Sequence, residues 1–429
     1  MRDFTSLEDF QNIAFISTRI AGTDGVSLEI EKWADVFESE GFTCYYFAGE
    51  LDRPENYSYL VPEAHFTHPD IKDVYRQSFD TTLRDRAISK KIYHLAIKLK
   101  DALYEFVEKF DIHIIIPENA LTIPLNIPLG IALTEFIAET NIHTIAHHHD
   151  FYWERDRFMI NAVQDYLNMA FPPVLPSIHH VVINSVADTQ LSLRTGVSAH
   201  VAPNVMDFAN PPPPPDEYTA DVRQALGIED DELFILQPTR VVQRKGIEHA
   251  IEMVNRLGRK AKLVISHASG DEGYDYEQRL IEYSKLMNVD TIFVSDIIDE
   301  HRGLTADGRK VYTLEDIFPY CDLVTYPSTF EGFGNAFLEA VYFRKPIVVN
   351  AYSIYTKDIK PKGFSVIEID GYVTSEAVEK TKRVLDDPDL CRKMVDLNYD
   401  LGLKYFSYGV LHRGLRDFLV SRGWIPPTC

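Results

Sequence analysis

Five consecutive prolines at 211–215 constrain this chain more than any other feature, because each side of them carries its own alternation of strand-like and helix-like segments. Consecutive prolines lack backbone N–H groups and have a fixed φ, so they continue neither a helix nor a sheet and read as a stiff, extended connection. Before them, Ile13-Ala14-Phe15-Ile16-Ser17, Phe42-Thr43-Cys44-Tyr45-Tyr46-Phe47 and Ile112-His113-Ile114-Ile115-Ile116 read as buried strands, with helical spacing of apolar residues over 26–39 and 88–110. After them the rhythm restarts: strand Leu233-Phe234-Ile235-Leu236, helix 247–258, strand Lys262-Leu263-Val264-Ile265, helix 276–287, strand Thr291-Ile292-Phe293-Val294 and, later, Pro346-Ile347-Val348-Val349. Strand–helix–strand order predicts parallel sheets with helices on both faces. The expected fold class is therefore α/β, with two doubly wound, Rossmann-like domains. Their expected extents are 1–207 and 221–404, with a proline-rich linker over 208–220 and a closing segment over 405–429. Ligands of such sheets sit at the carboxyl ends of strands, and a cleft between two domains suits two substrates.

At 429 residues, two domains are the default. The net charge, 43 − 65 = −22, argues against nucleic acid and against strong docking on anionic lipid. The basic residues of 71–100 read best as a solvated helix face. Cys44, Cys321, Cys391 and Cys429 are scattered, with the spacing of neither a zinc site nor a disulfide framework. Arg2, Asp3, Glu8 and Asp9 do not fit a signal peptide, and no run of about 18 apolar residues occurs. A cytoplasmic protein without a transmembrane segment is expected, and peripheral membrane contact is not indicated.

Chemistry concentrates around Glu331-Gly332-Phe333-Gly334-Asn335-Ala336-Phe337-Leu338-Glu339, which follows the strand-like run 322–327 and opens an apolar helical pattern reaching Val341. Glycines allow close backbone approach to a ligand, and a helix start offers unpaired N–H donors and a positive dipole end, which suits phosphate. Glu331 is expected before the helix and Glu339 about two turns inside it, roughly 12 Å apart along a regular axis. Two such carboxylates cannot share one reacting bond, but they can grip opposite ends of a nucleotide-sugar. The alternative is a helix with one surface and one partly buried glutamate.

This segment resembles the Glu-x7-Glu motif of the retaining glycosyltransferases of family four, which have the GT-B fold of two Rossmann-like domains facing a cleft. The resemblance implies that Glu331 faces the donor sugar and Glu339 binds the ribose hydroxyls, with Gly332, Phe333, Gly334, Asn335 and Ala336 lining the donor. The element Arg240-Val241-Val242-Gln243-Arg244-Lys245-Gly246 is similar to the family's Arg-x4-Lys-Gly, whose Arg and Lys hold the donor diphosphate. Alone, these would read as surface charges at a helix start. Gly22-Thr23-Asp24-Gly25, after the first strand, lacks the dinucleotide G-x-G-x-x-G. It resembles the family's N-terminal glycine loop, with Gly25 towards the donor phosphates and Gly22, Thr23 and Asp24 towards the acceptor; a plain structural turn fits equally well.

Thr144-Ile145-Ala146-His147-His148-His149-Asp150 ends another strand. Strand alternation puts His147 and His149 on one face and His148 on the other. A His-x-His pair can bind a metal if further ligands exist, but none is expected here. In the resembling family a strand-ending His-Asp faces the donor sugar, which implies His149 and Asp150; in the other register His148 takes that place, and otherwise it is expected on the acceptor side. Asp387-Pro388-Asp389 reads as a helix cap and turn. Pro203-Asn204-Val205 departs from the family's usual Pro-Asn-Gly.

The implied activity is retaining transfer of a hexose from a nucleoside diphosphate sugar, UDP-glucose favoured, to a carbohydrate or other acceptor hydroxyl. No cofactor or metal is expected. A sugar phosphorylase on the same fold and a non-catalytic two-domain sugar-binding protein are the rival readings. A dinucleotide oxidoreductase is disfavoured by the absent fingerprint.

Overall fold

The computed structural model describes residues 11–22, 25–268, 274–299 and 301–425. The chain forms two compact units: residues 1–203 together with 411–429, and residues 204–410.

The first unit is built on seven parallel strands: β1 (Asn12–Ile16), β2 (Thr43–Ala48), β3 (Ser58–Leu60), β4 (Ile114–Pro117), β5 (His143–His148), β6 (Ile178–Val182) and β7 (His200–Val201). Their order is β3-β2-β1-β4-β5-β6-β7. β1 pairs with β2 on one side and β4 on the other, so successive crossovers diverge at β1/β4 and leave a crevice at the strand ends there. The helix Arg86–Lys109 follows from its apolar spacing, since Ile88, Ile92, Ala96, Leu99, Leu103 and Phe106 fall on one buried stripe. Asp85 caps it by accepting from the Ala87 N–H.

The second unit carries β8 (Leu233–Gln237), β9 (Ala261–Ile265), β10 (Asp290–Phe293), a small hairpin of β11 (Gly303–Leu304) and β12 (Lys310–Val311), then β13 (Leu323–Tyr326), β14 (Ile347–Asn350) and β15 (Ile367–Ile369). Its six-stranded parallel sheet has the order β10-β9-β8-β13-β14-β15, with the divergence at β8/β13. The helix Ile247–Leu257 packs Ile247, Ile251 and Val254 against Ile235 and Leu263 of the sheet. Gly246 and Gly258 bound it, both left-handed at φ 58° and 64°. Polar residues 301–310 form the hairpin. Tyr218 hydroxyl donates to Gly303 and Val311 carbonyls at 3.0 and 2.8 Å, and Arg302 bridges Asp216 and Asp316.

The division of the chain falls ahead of the proline run. Side chains explain why: Asn204 Nδ2 donates to Asn335 Oδ1 at 2.8 Å, and Tyr399 and Tyr342 hydroxyls donate to the Phe208 and Asn210 carbonyls at 2.9 Å each. These bonds bind residues 204–210 to the second unit. At the other end, the helix Tyr408–Ser421 buries Leu411, Leu415, Phe418 and Leu419. Phe418 lies against His179, His200 and Trp424, and Arg416 and His412 pair with Glu40, so this segment belongs to the first unit. Among the described residues, no helix is long and apolar enough to cross a membrane.

Removing a buried aromatic ring leaves a cavity that costs about 3–5 kcal/mol. Phe418→Ala should therefore lower the stability of the first unit by about that amount, read as a shift of the denaturant midpoint without a change in slope.

Candidate active site

In the second unit, the loops after β8 and β13 meet over the β8/β13 crevice. The strands enter in register because Thr325 Oγ1 donates to Gln237 Oε1 at 2.7 Å and Gln237 Nε2 donates to Thr239 Oγ1 at 2.8 Å. The Thr329 N–H then donates to the Arg244 carbonyl at 2.8 Å. The loops approach so closely that a Cβ on Gly246 would lie 2.6 Å from the Pro327 carbonyl oxygen. This approach and the positive φ both demand glycine.

Their proximity brings Lys245 onto Glu331. Both are buried, and the ammonium pairs with Glu331 Oε1. Arg244 reaches Glu331 Oε2 at 3.0 Å and donates to the Phe330 carbonyl at 3.1 Å. Burial alone would push the Glu331 carboxyl up, but Lys245 and then Arg244 outweigh it and hold the group below the usual carboxylate range. Burial pushes the Lys245 ammonium down, partly offset by Glu331. Arg240 is exposed just beyond β8. The Arg-x4-Lys element thus delivers one exposed guanidinium and one enclosed ammonium.

Gly334, at φ 125°, opens the helix Asn335–Tyr342, and no side chain caps it. A Cβ on Gly334 would meet the Tyr352 hydroxyl at 2.3 Å. Phe333 and Ala336 are buried. The Phe333 ring packs on Phe406, which leaves only its backbone for a ligand, and its carbonyl already accepts from Tyr352 at 2.9 Å. Gly332 and Asn335 are half-buried, as is Glu339. Glu339 lies one turn inside the helix, not two, because the Gly-Phe-Gly turn takes up the residues before Asn335.

In the first unit, Gly22 is exposed and its N–H donates to Asp52 Oδ2 at 2.7 Å. Gly25 is the exposed first residue of the helix Gly25–Ser39. Thr23 and Asp24 lie outside the described residues. At the ends of β4 and β5, His147 and His149 share a face, as alternation predicts. Both meet Glu118, a residue that sequence reasoning missed. His147 Nδ1 lies 2.8 and 3.0 Å from the two Glu118 oxygens, and His149 Nε2 lies 3.1 Å from Oε2. Glu118 is fully buried. Burial would raise its carboxyl, but the two imidazoles outweigh that and lower it. Burial lowers His149, while the bond to Glu118 and its charge reverse the sign and raise it.

His148 points the other way. It is fully buried, with Nε2 2.8 Å from His180 Nδ1, and burial drives its pKa well down. Asp150 Oδ2 accepts from Arg155 Nε at 2.5 Å. Asn119, left-handed at φ 56°, accepts the His149 N–H at 3.1 Å. Glu118, His147 and His149 have the composition of a metal site, yet each imidazole contact stands at hydrogen-bond distance. The signal for Glu118 was a charged Pro-Glu-Asn directly ending an apolar strand.

Residues 219–400 match the family model described as glycosyl transferases group 1. The mannosylglucosylglycerate synthase of Thermotoga maritima is 31% identical over 428 residues, covering 92% of this chain and 96% of that protein. The Petrotoga mobilis protein of the same name is 32% identical over 380 residues, covering 83% and 86%. Among solved structures, sucrose-phosphate synthase from Thermosynechococcus elongatus superposes with a TM-score of 0.66 at 16% identity, covering 96% of this chain and 98% of that one. Anabaena HepE in complex with UDP-glucose gives 0.64 at 13% identity, covering 96% and 99%. These last two are likenesses of fold.

Breaking a buried ion pair from one side strands the other charge and costs about 3–5 kcal/mol, whereas removing both sides costs far less. Glu331→Gln should destabilise the second unit by about that amount, and Lys245→Met by less, because Arg244 stays on Glu331. The double variant should be less destabilised than the two single losses added together, as measured by denaturant titration.

Proposed function

Because the chain belongs to the group 1 glycosyl transferases, we propose that it is a retaining hexosyltransferase whose second unit binds a nucleoside diphosphate sugar. The observation that carries this reading is the Lys245–Glu331–Arg244 cluster at the β8/β13 crevice, followed directly by an uncapped helix start. The diphosphate leaves with its charge met by Arg240, Lys245 and the N–H groups opening the helix Asn335–Tyr342. Glu331, held ionised by its two cations, steadies positive charge growing at the anomeric carbon without bonding to it. The leaving phosphate oxygen takes the acceptor proton on the same face, which retains configuration. His149 hydrogen-bonds the sugar, and Glu339 accepts from the ribose hydroxyls. Cationic side chains and backbone donors supply the neutralisation, so the reaction proceeds without a metal.

The name of the two relatives describes a product in which glycerate carries glucosyl and mannosyl units. It supports a glycoside of glycerate as the acceptor class and either hexose as the group transferred. UDP-glucose and GDP-mannose are the donors to compare, with glycerate and glucosylglycerate as acceptors.

Calorimetric titration with UDP, GDP and ADP should give micromolar binding of one nucleotide, unchanged by EDTA. Glu339→Ala should weaken that binding about tenfold, the loss of one charge-assisted hydrogen bond. Glu331→Ala should lower turnover by about 10² or more while sparing nucleotide affinity, as expected for a group acting mainly in the transition state. Proton NMR of the product should show the anomeric configuration of the donor. Failure to bind any nucleotide, with turnover supported by inorganic phosphate, would replace this reading with a phosphorylase.

A further inference from the structure

Glu118 is an expensive residue to enclose. Its carboxylate has no exposure to solvent at the carboxyl end of β4, beside the β1/β4 divergence, and such a group is tolerated only when its oxygens are fully engaged. Two imidazoles engage it from one side. His147 is itself fixed: its ring stacks on Trp33 with centroids 4.1 Å apart and planes 26° apart. Among the described residues its buried Nε2 has no hydrogen-bond partner, so Nδ1 is the nitrogen that donates. A chain of contacts therefore runs from Trp33 through His147 and Glu118 to His149. The next residue completes it, since Asn119 accepts the His149 backbone N–H and its Nδ2 lies 3.4 Å from Asp150 Oδ1. The Glu118-Asn119 dipeptide holds His149 by both its ring and its backbone.

We propose that Glu118 is a positioning residue for the transferase reaction: it anchors the His149 imidazole through Nε2, so that Nδ1 is the ring nitrogen presented to the sugar. The proposal rests on the reading of His149 as a sugar-binding group. A ring held at one nitrogen by a fixed carboxylate has one orientation and one proton arrangement at that nitrogen, as orienting carboxylates impose on functional histidines elsewhere. Glu118 touches no substrate; its effect is transmitted through His149 alone. Trp33 and His147 contribute by keeping Glu118 from turning away.

The test is a double-mutant cycle on the full chain with Glu118→Gln, His149→Ala and the pair, assayed for transfer from GDP-mannose and UDP-glucose to glucosylglycerate. His149→Ala should lower kcat about 10²-fold, and Glu118→Gln about tenfold or more, with nucleotide affinity by calorimetry unchanged. The double variant should be no slower than His149→Ala alone, because Glu118 then has no ring to hold. If His149→Ala keeps wild-type kcat, the reading of His149 itself is wrong. If His149→Ala is impaired but Glu118→Gln keeps wild-type kcat, or the two losses multiply, the role of Glu118 is wrong. Ring-nitrogen NMR of the wild-type chain does not depend on a folded variant: His149 Nε2 should be protonated, and an unprotonated Nε2 would overturn the proposal. One equivalent of zinc retained by the wild type and lost in Glu118→Gln would also overturn it, since the three groups would then be ligands.

Discussion

The buried contact between Lys245 and Glu331 ties together two loops that the topology would otherwise leave apart. β8 and β13 are neighbours, but the chain leaves β8 towards β9 and leaves β13 towards β14, in opposite directions. A crevice at such a divergence is inherent in the fold. What is not inherent is that its two walls hold a fixed spacing. Here they do, through an ion pair, the Thr329–Arg244 backbone bond and a glycine that allows contact with Pro327. A buried ion pair adds little net stability over an apolar one. Its effect is electrostatic: with Arg244 it holds the carboxyl below its usual range in an enclosed place where burial alone would raise it.

The first unit solves the same problem with different chemistry. Its sheet diverges at β1/β4, and Glu118 directly follows β4 as Glu331 follows β13. Again a buried carboxylate is held below its ordinary range, here by two imidazoles in place of an ammonium and a guanidinium. Ser17 adds a direct tie across the divergence by donating from its hydroxyl to the Glu118 carbonyl at 3.1 Å. In each unit, a crevice dictated by strand order is made rigid by one enclosed acid with more than one partner.

Much of the fold was legible because its signals are local. Helix 247–258 read from periodicity appears as Ile247–Leu257, since glycines punctuate both ends. The first strand differs by one residue, Asn12–Ile16 against 13–17. Very short strands such as β7 (two residues) carry no period to read. The proline run is a different kind of signal. It marks a stiff stretch, while the division into compact units follows the contacts the chain makes, and Phe208 and Asn210 contact the second unit. Within the site, the shared face of His147 and His149 followed from strand alternation alone. Glu118 did not, because it lies 29 residues before His147 and only parallel pairing of β4 and β5 brings the two together.

The Arg-x4-Lys element shows how far residue type can be pushed as a guide to role. Two cations near a phosphate-binding helix start read as equal partners for a diphosphate. In the fold they are unequal: Arg240 stands exposed, while Lys245 is enclosed and already neutralised by Glu331. A neutralised ammonium offers an incoming phosphate less attraction than a free one, and what it does offer depends on Glu331 staying in place. Arg240 and the backbone N–H groups of the uncapped helix start are positive groups outside that ion pair. Lys245 shares Glu331 with Arg244, so the enclosed carboxylate and ammonium form one cluster with a half-buried guanidinium. The arrangement at this crevice therefore rests on shared contacts, and the stability cost of losing one member depends on which of the others remain.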